Sequence, residues 1–146
     1  GSDLEKRRDD WIVAGNPFEE NDPILMVKAI QPDFAVFHAP LADRFGNVWV
    51  GVRRELMLMA HAAKSSLVTA EKIVDGNLLE DPVRAAGTIP GLYIGALAEA
   101  EHGAWPLGIP GGYGADAGEL GRYVELARTE EGFADYMAGV NKVAAE

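Results

Sequence analysis

Short apolar runs separated by polar turns dominate the middle of the chain. The runs cover residues 34–38 (FAVFH), 48–50 (VWV), 66–70 (SLVTA) and 92–98 (LYIGALA). Apolar runs this short are typical of buried strands, and strands that are apolar on both faces favour a parallel sheet covered on both sides. The pattern therefore predicts four strands.

Apolar residues at helical spacing predict three helices. In residues 53–64 the apolar stripe extends around most of the helix surface, so this helix is expected to be deeply buried or to lie at an interface. Asp116, followed by Glu119 three residues later, predicts an N-cap with a capping-box partner. Thr129 is placed to cap the last helix. Strands that alternate with helices indicate an α/β fold, an open and mostly parallel sheet with helices on both faces.

Three segments lack a clear period. Residues 11–23 are predicted to form a loop because of their Gly, Asn and Pro content, and residues 101–115 are predicted to be irregular for the same reason. Residues 24–30 are ambiguous, since Asp22-Pro23 resembles the start of a helix whereas the following ILMV resembles a short strand.

Length and composition favour a single domain. The chain has 146 residues, of which 48% are hydrophobic, and this is enough for one core. Gly1-Ser2 is typical of the remnant of a cleaved affinity tag, and the residues that follow it are almost wholly charged. We therefore assign residues 1–10 to a tag scar and charged lead-in, and residues 11–146 to one α/β domain.

Charge and cysteine content exclude several function classes. The formal charge of −10, from 23 acidic and 13 basic residues, argues against nucleic acid or an anionic membrane as partner, because both need a basic surface. The chain has no cysteine, so a disulfide framework and a thiolate nucleophile are excluded. No apolar run approaches the ~20 residues of a membrane span, and no signal-like segment is present. These features predict a cytoplasmic protein.

Few motifs carry chemistry. The three histidines are far apart in sequence and none has metal-ligand spacing to another histidine or a carboxylate pair, so no metal site is expected. No Gly-x-Ser-x-Gly elbow occurs. Residues 112–117 match G-x-G-x-x-A, but Pro106 and Pro110 exclude the preceding central strand that a dinucleotide site requires. We interpret this segment as a loop that leads into a capped helix.

Two side chains at strand ends are candidates for a site. His38 ends one predicted strand and Glu71 follows another, and ligands bind at the carboxyl ends of strands in parallel sheets. Glu71 would orient a loop, accept hydrogen bonds, or act as an acid or base if its pKa is raised. The favoured alternative is a salt bridge with the neighbouring Lys72 or with an arginine.

The turn at residues 43–47 (DRFGN) allows two interpretations. Gly46-Asn47 is expected to supply the positive φ angles that a tight turn needs, which would make the turn structural. At the carboxyl edge of a parallel sheet the same turn would border a ligand site.

An ordered series of short motifs resembles the A-type (alpha) chains of the family I coenzyme A transferases, which include glutaconate and 3-oxoacid CoA-transferases. The series covers roughly residues 16–139. Its members are Pro32-Asp33, residues 37–39 (FHA), 42–47 (ADRFGN), 62–64 (AAK), 67–74 (LVTAEKIV), 89–91 (IPG), Gly103-Ala104-x-Pro106, 123–128 (YVELAR) and Phe133-x-x-Tyr136.

The resemblance implies a partial CoA-transferase fold of the NagB/RpiA-like type. The A-type chains of this family are about twice as long as this chain, and their amino-terminal half, with its Gly-rich segment, has no counterpart here. The resemblance therefore implies the carboxyl-terminal half of such a chain. In the family a glutamate of the B-type chain attacks the acyl-CoA thioester, so no catalytic nucleophile is assigned here. The implied partners are a CoA-transferase B-type chain, an acyl-CoA and a small carboxylic acid, with coenzyme A as substrate and no permanently bound cofactor.

Six residues follow as candidates for the substrate cleft or the subunit interface. They are His38, Asp43, Asn47, Glu71, Gly103 and Ala104. The turn at residues 43–47 is expected to shape the cleft wall or the face that meets the B-type chain.

Two other functions stay open. Some relatives on this scaffold hydrolyse CoA thioesters or open rings of CoA-linked substrates. A non-catalytic interaction domain is the third candidate, because the apolar helix in residues 53–64 offers a surface that needs a partner. A chain without the family's amino-terminal half is also expected to expose a sheet edge and apolar surface, which predicts a homo-oligomer.

Overall fold

The computed structural model describes residues 3–143. Gly1-Ser2, the expected tag remnant, lies outside the described residues, and so do residues 144–146. The charged lead-in contains a short 3-10 helix, Asp3–Arg7. The helices are α1 (Arg54–Ala62), α2 (Ala117–Leu126) and α3 (Glu130–Val143). In chain order the strands are β1 (Trp11–Ala14), β2 (Ile24–Val27), β3 (Phe34–Ala39), β4 (Leu41–Asp43), β5 (Val48–Trp49), β6 (Ser65–Ala70), β7 (Ile73–Val74), β8 (Thr88–Ile89) and β9 (Ile94–Glu99).

A parallel sheet forms the centre of the fold, as the apolar runs predict. Its order is β3-β6-β9, and both neighbouring pairs are parallel. In the register Val36 lies beside Leu67, which lies beside Ala96. Because the strands run in the same direction, their carboxyl ends meet at one edge, and the α/β prediction is confirmed.

A second, mixed sheet follows the turn at residues 43–47. Its order is β7-β4-β5-β8, and β4 and β5 form an antiparallel hairpin. The predicted strand at residues 48–50 therefore exists as β5, but it belongs to this small sheet rather than to the parallel one. Strands β4, β7 and β8 have two or three residues each, too few for a periodic pattern to reveal them.

The predicted loop at residues 11–23 is partly wrong. Trp11–Ala14 is a strand that pairs antiparallel with Ile24–Val27. The ambiguous segment, residues 24–30, therefore begins with a strand rather than a helix. The turn-forming residues lie only in the connection, residues 15–23. The residues of β1, WIVA, are mostly strand formers, and the prediction fails because it extends the Gly, Asn and Pro signal of the following residues over them.

The core lies on one face of the parallel sheet. Ala39, Val68 and Ala70 are buried there against Leu56 and Ala60 of α1. The outer side of α1 is exposed, with Leu58 at 70%. The helix therefore uses part of its apolar surface inside this chain, and the rest faces solvent.

The opposite face of the parallel sheet is largely open. Val36 is 68% exposed, and Phe34 and Leu67 are also exposed. A groove of about 460 Å³ runs over this face, with Ala96 and Ala98 on its far side. Within residues 3–143, no element buries these side chains.

The two C-terminal helices begin as their sequence predicts. The side chain of Asp116 accepts a hydrogen bond from the backbone N of Glu119 at 3.0 Å, and Thr129 Oγ1 accepts one from Gly132 N at 3.1 Å. The capping-box prediction also requires Asp116 N to donate to the side chain of Glu119. This part of the prediction is wrong, because Asp116 N donates to Pro106 O instead. No helix in the described part of the chain is long and apolar enough to cross a membrane.

Candidate functional site

Glu71 lies at the carboxyl end of the central strand of the parallel sheet. Its backbone N donates to Ala39 O at 3.0 Å, which extends the pairing of β3 and β6 by one residue. His38, near the end of β3, lies beside it. The side chains of His38 and Glu71 are 14% and 17% exposed, so both are within reach of a ligand at the sheet edge.

The Glu71 carboxylate accepts three short hydrogen bonds. Oε1 lies 2.8 Å from His38 Nε2 and 2.7 Å from the donating Tyr113 hydroxyl, and Oε2 accepts from His102 N at 2.7 Å. Because a carboxylate only accepts, His38 carries a proton on Nε2. His38 Nδ1 lies 2.8 Å from Thr69 Oγ1, whose hydroxyl donates to it when the imidazole is neutral.

These contacts determine the charge of Glu71. Burial acts to raise the pKa of Glu71, but the hydrogen bonds from Tyr113, His38 and the His102 amide outweigh it and lower the pKa below its ordinary value. Burial and the neighbouring Glu71 raise the pKa of Tyr113. Glu71 is thus an ionised acceptor beside a neutral phenol. A role for Glu71 as an acid or base would need a raised pKa, and its pKa is lowered instead.

The predicted salt bridge of Glu71 with Lys72 or an arginine is also wrong. The carboxylate does not pair with Lys72 or an arginine in the described residues; its partners are His38, Tyr113 and the His102 amide. Sequence spacing favours a neighbour such as Lys72, whereas consecutive residues at a strand end face opposite sides.

Gly103 and Ala104 lie in the irregular segment that folds over this edge. Ala104 N donates to the Tyr113 hydroxyl at 2.8 Å. A Cβ on Gly103 would lie 2.6 Å from His38 Cε1, so only glycine lets the segment approach the imidazole this closely. The ring centroids of His102 and Tyr113 are 4.8 Å apart.

Glu71 borders two cavities. On one side is a polar cleft of about 620 Å³, and on the other is a smaller pocket of about 280 Å³ with apolar walls. The cleft is lined by Arg44, Lys72, Ile73, Glu99, Glu101 and His102 besides Glu71. The walls of the pocket include Pro40, Trp49, Ile109, Pro110 and Tyr113. A ligand with a charged and an apolar part would find both environments next to one another.

Asp43 and Asn47 form a separate, buried cluster. Asp43 is 0% exposed, and Oδ1 accepts from Phe45 N and Asn47 N at 2.9 Å each. Oδ2 accepts from Asn47 Nδ2 at 2.9 Å and Leu78 N at 2.8 Å. Asn47 Oδ1 accepts from Gly91 N at 2.9 Å. The turn therefore ties the hairpin to two other segments, and its carboxylate has no lone pair left for a ligand.

The turn also differs from its prediction in backbone geometry. Gly46 has the expected positive φ of 83°, whereas Asn47 is not among the residues with positive φ. The contribution of Asn47 to the turn comes from its side chain instead.

The structure thus divides the six candidates into two groups. His38, Glu71, Gly103 and Ala104 meet at the sheet edge, and Asp43 and Asn47 lie in the buried turn. Sequence reasoning missed Thr69, His102 and Tyr113. Tyr113 lies 42 residues from Glu71 along the chain, and no local signal reports such a contact.

Comparisons with known proteins identify relatives of this chain. No protein-family model matches the chain. The A chain of glutaconate CoA-transferase from Acidaminococcus fermentans is 34% identical over 89% of the chain, and that of 3-oxoadipate CoA-transferase from Pseudomonas knackmussii is 34% identical over 91%. The chain covers 41% and 46% of these two relatives, less than half of each.

Solved structures agree with the sequence relatives. The glutaconate CoA-transferase structure from Acidaminococcus fermentans matches with a TM-score of 0.79 at 30% identity, over 90% of this chain and 41% of that one. The decarboxylase AibA/AibB matches with a TM-score of 0.80 at 28% identity, over 97% of this chain and 50% of that one. The sequence relatives of this chain are therefore A-type chains of coenzyme A transferases, and the glutaconate CoA-transferase structure shares its fold.

Proposed function

We propose that this chain is part of the A-type chain of an enzyme that moves coenzyme A between an acyl-CoA and a carboxylic acid. The observation that supports the proposal most directly is the ionised Glu71 with its donors at the carboxyl edge of the sheet, in a chain homologous to such proteins. In parallel α/β sheets this edge is where ligands bind.

The attacking carboxylate belongs to a partner, the B-type chain, in this proposal. Each oxygen of Glu71 already accepts a hydrogen bond shorter than 3 Å, and such an oxygen is stabilised as an acceptor and weakened as a nucleophile. This chain would supply one wall of the active site. Coenzyme A would enter as a substrate.

Three carboxylates, Glu71, Glu99 and Glu101, line the cleft together with two cationic side chains, and the two cations are the groups that a carboxylic acid substrate would contact. Arg44 and Lys72 bring these two cationic groups to the rim of the cleft, and Arg44 also pairs with the exposed Asp75. Exposed ion pairs such as this one exchange readily, so the guanidinium is available to an incoming carboxylate.

The test is an exchange assay on the complete protein that carries this chain, purified with a co-expressed B-type chain. Transfer of coenzyme A from acyl-CoA to an added carboxylic acid by the complex, and none by this chain alone, is the expected result. Exchange catalysed by the isolated chain would contradict the assignment of the nucleophile to the partner.

A second candidate is a reaction on a CoA-linked substrate that needs no acceptor. The likeness to the decarboxylase AibA/AibB favours it, because that scaffold is as similar to this chain as the transferase structure is. The same complex is incubated with acyl-CoA and no acceptor acid. Release of free coenzyme A would identify a hydrolase, and release of carbon dioxide would identify a decarboxylase.

We also propose that this chain self-associates through the open face of its parallel sheet. Exposed apolar side chains such as Val36 support the proposal. Light scattering should give a mass above that of one chain, and a monomer that binds no hydrophobic dye would contradict it. Absence of CoA binding by titration calorimetry, with or without the B-type chain, would favour a non-catalytic interaction domain.

A further inference from the structure

The carboxylate of Glu71 binds both ends of the irregular segment formed by residues 101–115. Oε2 accepts from the backbone N of His102, close to the start of the segment. Oε1 accepts from the hydroxyl of Tyr113, close to its end. One side chain of the sheet therefore holds two distant points of the segment.

Tyr113 extends this connection into the segment itself. Its hydroxyl donates to Glu71 and accepts from Ala104 N, so the amide of Ala104 depends on the carboxylate through the phenol. His102 has a φ of 56°, a left-handed conformation that is unfavourable for a residue with a Cβ. Such a conformation persists because surrounding contacts hold it in place.

The imidazole of His38 directs no unoccupied nitrogen into the cavities. Both nitrogens of His38 have partners, Glu71 at Nε2 and Thr69 at Nδ1. The segment that Glu71 holds lines both cavities, with His102 in the polar cleft and Tyr113 in the apolar pocket. The position of the segment therefore determines the shape of both.

We propose that Glu71 is a positioning residue that fastens residues 101–115 across the sheet edge and so sets the width of the cleft and the pocket. This proposal deepens the proposed function. It rests on that function in one respect, namely that the cleft and the pocket receive the substrate. The fastening itself is a property of the fold and is measurable without any activity.

The experiment is amide hydrogen exchange on the full chain, comparing Glu71→Gln and Tyr113→Phe with the unchanged protein. Glutamine presents an NH₂ group to donors, and phenylalanine removes the hydroxyl. Both variants should speed exchange at His102 or Ala104 by about tenfold or more. Glu99→Gln is the matched control, because Glu99 lines the same cleft but accepts from Ile73 N at 2.6 Å, outside the segment.

Kinetics on the assembled enzyme separate positioning from catalysis. A positioning role predicts that Glu71→Gln and Tyr113→Phe both raise KM for acyl-CoA by about tenfold, with kcat within about threefold. Loss of kcat in Glu71→Gln alone would overturn the inference in favour of acid–base chemistry. Unchanged exchange at His102 and Ala104 in both variants would overturn it whatever the kinetics.

Failure of the positioning role and failure of the proposed function give different results. If the unchanged complex transfers no coenzyme A while the variants still speed amide exchange, the proposed function fails and the positioning role stands. If Glu71→Gln does not fold, Tyr113→Phe alone decides, because it removes the same link from the other side.

Discussion

Two carboxylates, Asp43 and Glu71, each satisfy a set of converging donors, yet they do so in different surroundings. Asp43 is completely buried and joins segments that form the core of the mixed sheet. Glu71 is partly exposed, lies between two cavities and joins the sheet to an irregular segment. The carboxylate of Asp43 accepts four hydrogen bonds and that of Glu71 accepts three, so a set of converging donors does not by itself distinguish a structural carboxylate from the one proposed for the site. What separates them is exposure and the kind of segment that each one holds.

The largest expected effect is loss of the buried carboxylate. Asp43→Ala leaves the buried amides of Asn47 and Leu78 without acceptors, and the part-buried amide of Phe45 loses its acceptor too. Each buried donor without a partner costs about 1–3 kcal/mol, so the free energy of unfolding should fall by about 4 kcal/mol or more. Urea denaturation measures this change. A loss below about 1 kcal/mol would show that the turn does not anchor the sheet.

The next effect concerns the close contact at the sheet edge. In Gly103→Ala the new methyl group meets the imidazole of His38, and the backbone must shift. We expect a loss of about 1–3 kcal/mol. Gly114→Ala is the matched control, because a Cβ there meets nothing within 4 Å, and its cost should stay within about 0.5 kcal/mol. Equal effects of the two substitutions in thermal unfolding would contradict the contact.

A smaller effect is the pH dependence of stability at Glu71. Burial acts to raise the pKa of Glu71, but its hydrogen bonds outweigh burial and hold the folded pKa below the ordinary 4.5. Between the folded and the unfolded pKa, Glu71 therefore binds more protons in the unfolded chain than in the folded one. The stabilisation by Glu71 is therefore complete above about pH 4.5 and is lost as the pH falls through the folded pKa.

The difference between the unchanged chain and Glu71→Gln isolates this contribution. It should amount to about 1–2 kcal/mol at pH 7 and shrink below pH 4.5 in urea denaturation. The difference is needed because other charged or ionisable groups also contact Glu71 or line this cleft. They are His38, His102, Tyr113, Arg44, Lys72, Glu99 and Glu101. A difference that grows as the pH falls would contradict an ionised Glu71.

The smallest effect sharpens the comparison with a third carboxylate. Asp116 caps α2 through Glu119 N and also accepts from Trp105 Nε1 at 3.2 Å, so it offers the irregular segment a second, exposed attachment. Asp116→Ala should cost about 1 kcal/mol in thermal unfolding, the usual value of an N-cap. Exchange at the His102 amide should stay unchanged, and a large increase there would assign the fastening to Asp116 rather than Glu71.

The elements that can be predicted from the sequence are those with local signals. Strands β3, β6 and β9 are continuous apolar runs, and α2 begins at a capping side chain. Strand β1 escapes prediction because its strand-forming run, WIVA, is short and is followed by residues whose Gly, Asn and Pro content indicates a loop.

The position of the candidate site can be predicted from the sequence, but the hydrogen-bond partners of its residues cannot. His38 and Glu71 are identifiable because they lie at the ends of predicted parallel strands. Gly103 and Ala104 are identifiable through the family resemblance. Thr69, His102 and Tyr113 escape prediction because their roles depend on tertiary contacts alone. Asp43 shows the converse limit, since a polar side chain in a conspicuous turn does not reveal from sequence whether it faces a ligand or the core.

Amide hydrogen exchange on the assembled enzyme, with and without saturating coenzyme A, tests most directly whether the sheet edge is the functional surface. We predict slower exchange in residues 101–115 and at Glu71 and Lys72 when coenzyme A binds, and no change at the buried Asp43, Asn47 and Leu78. Protection confined to Asp43, Asn47 and Leu78, with none at the sheet edge, would contradict this assignment and move the functional surface to the buried turn.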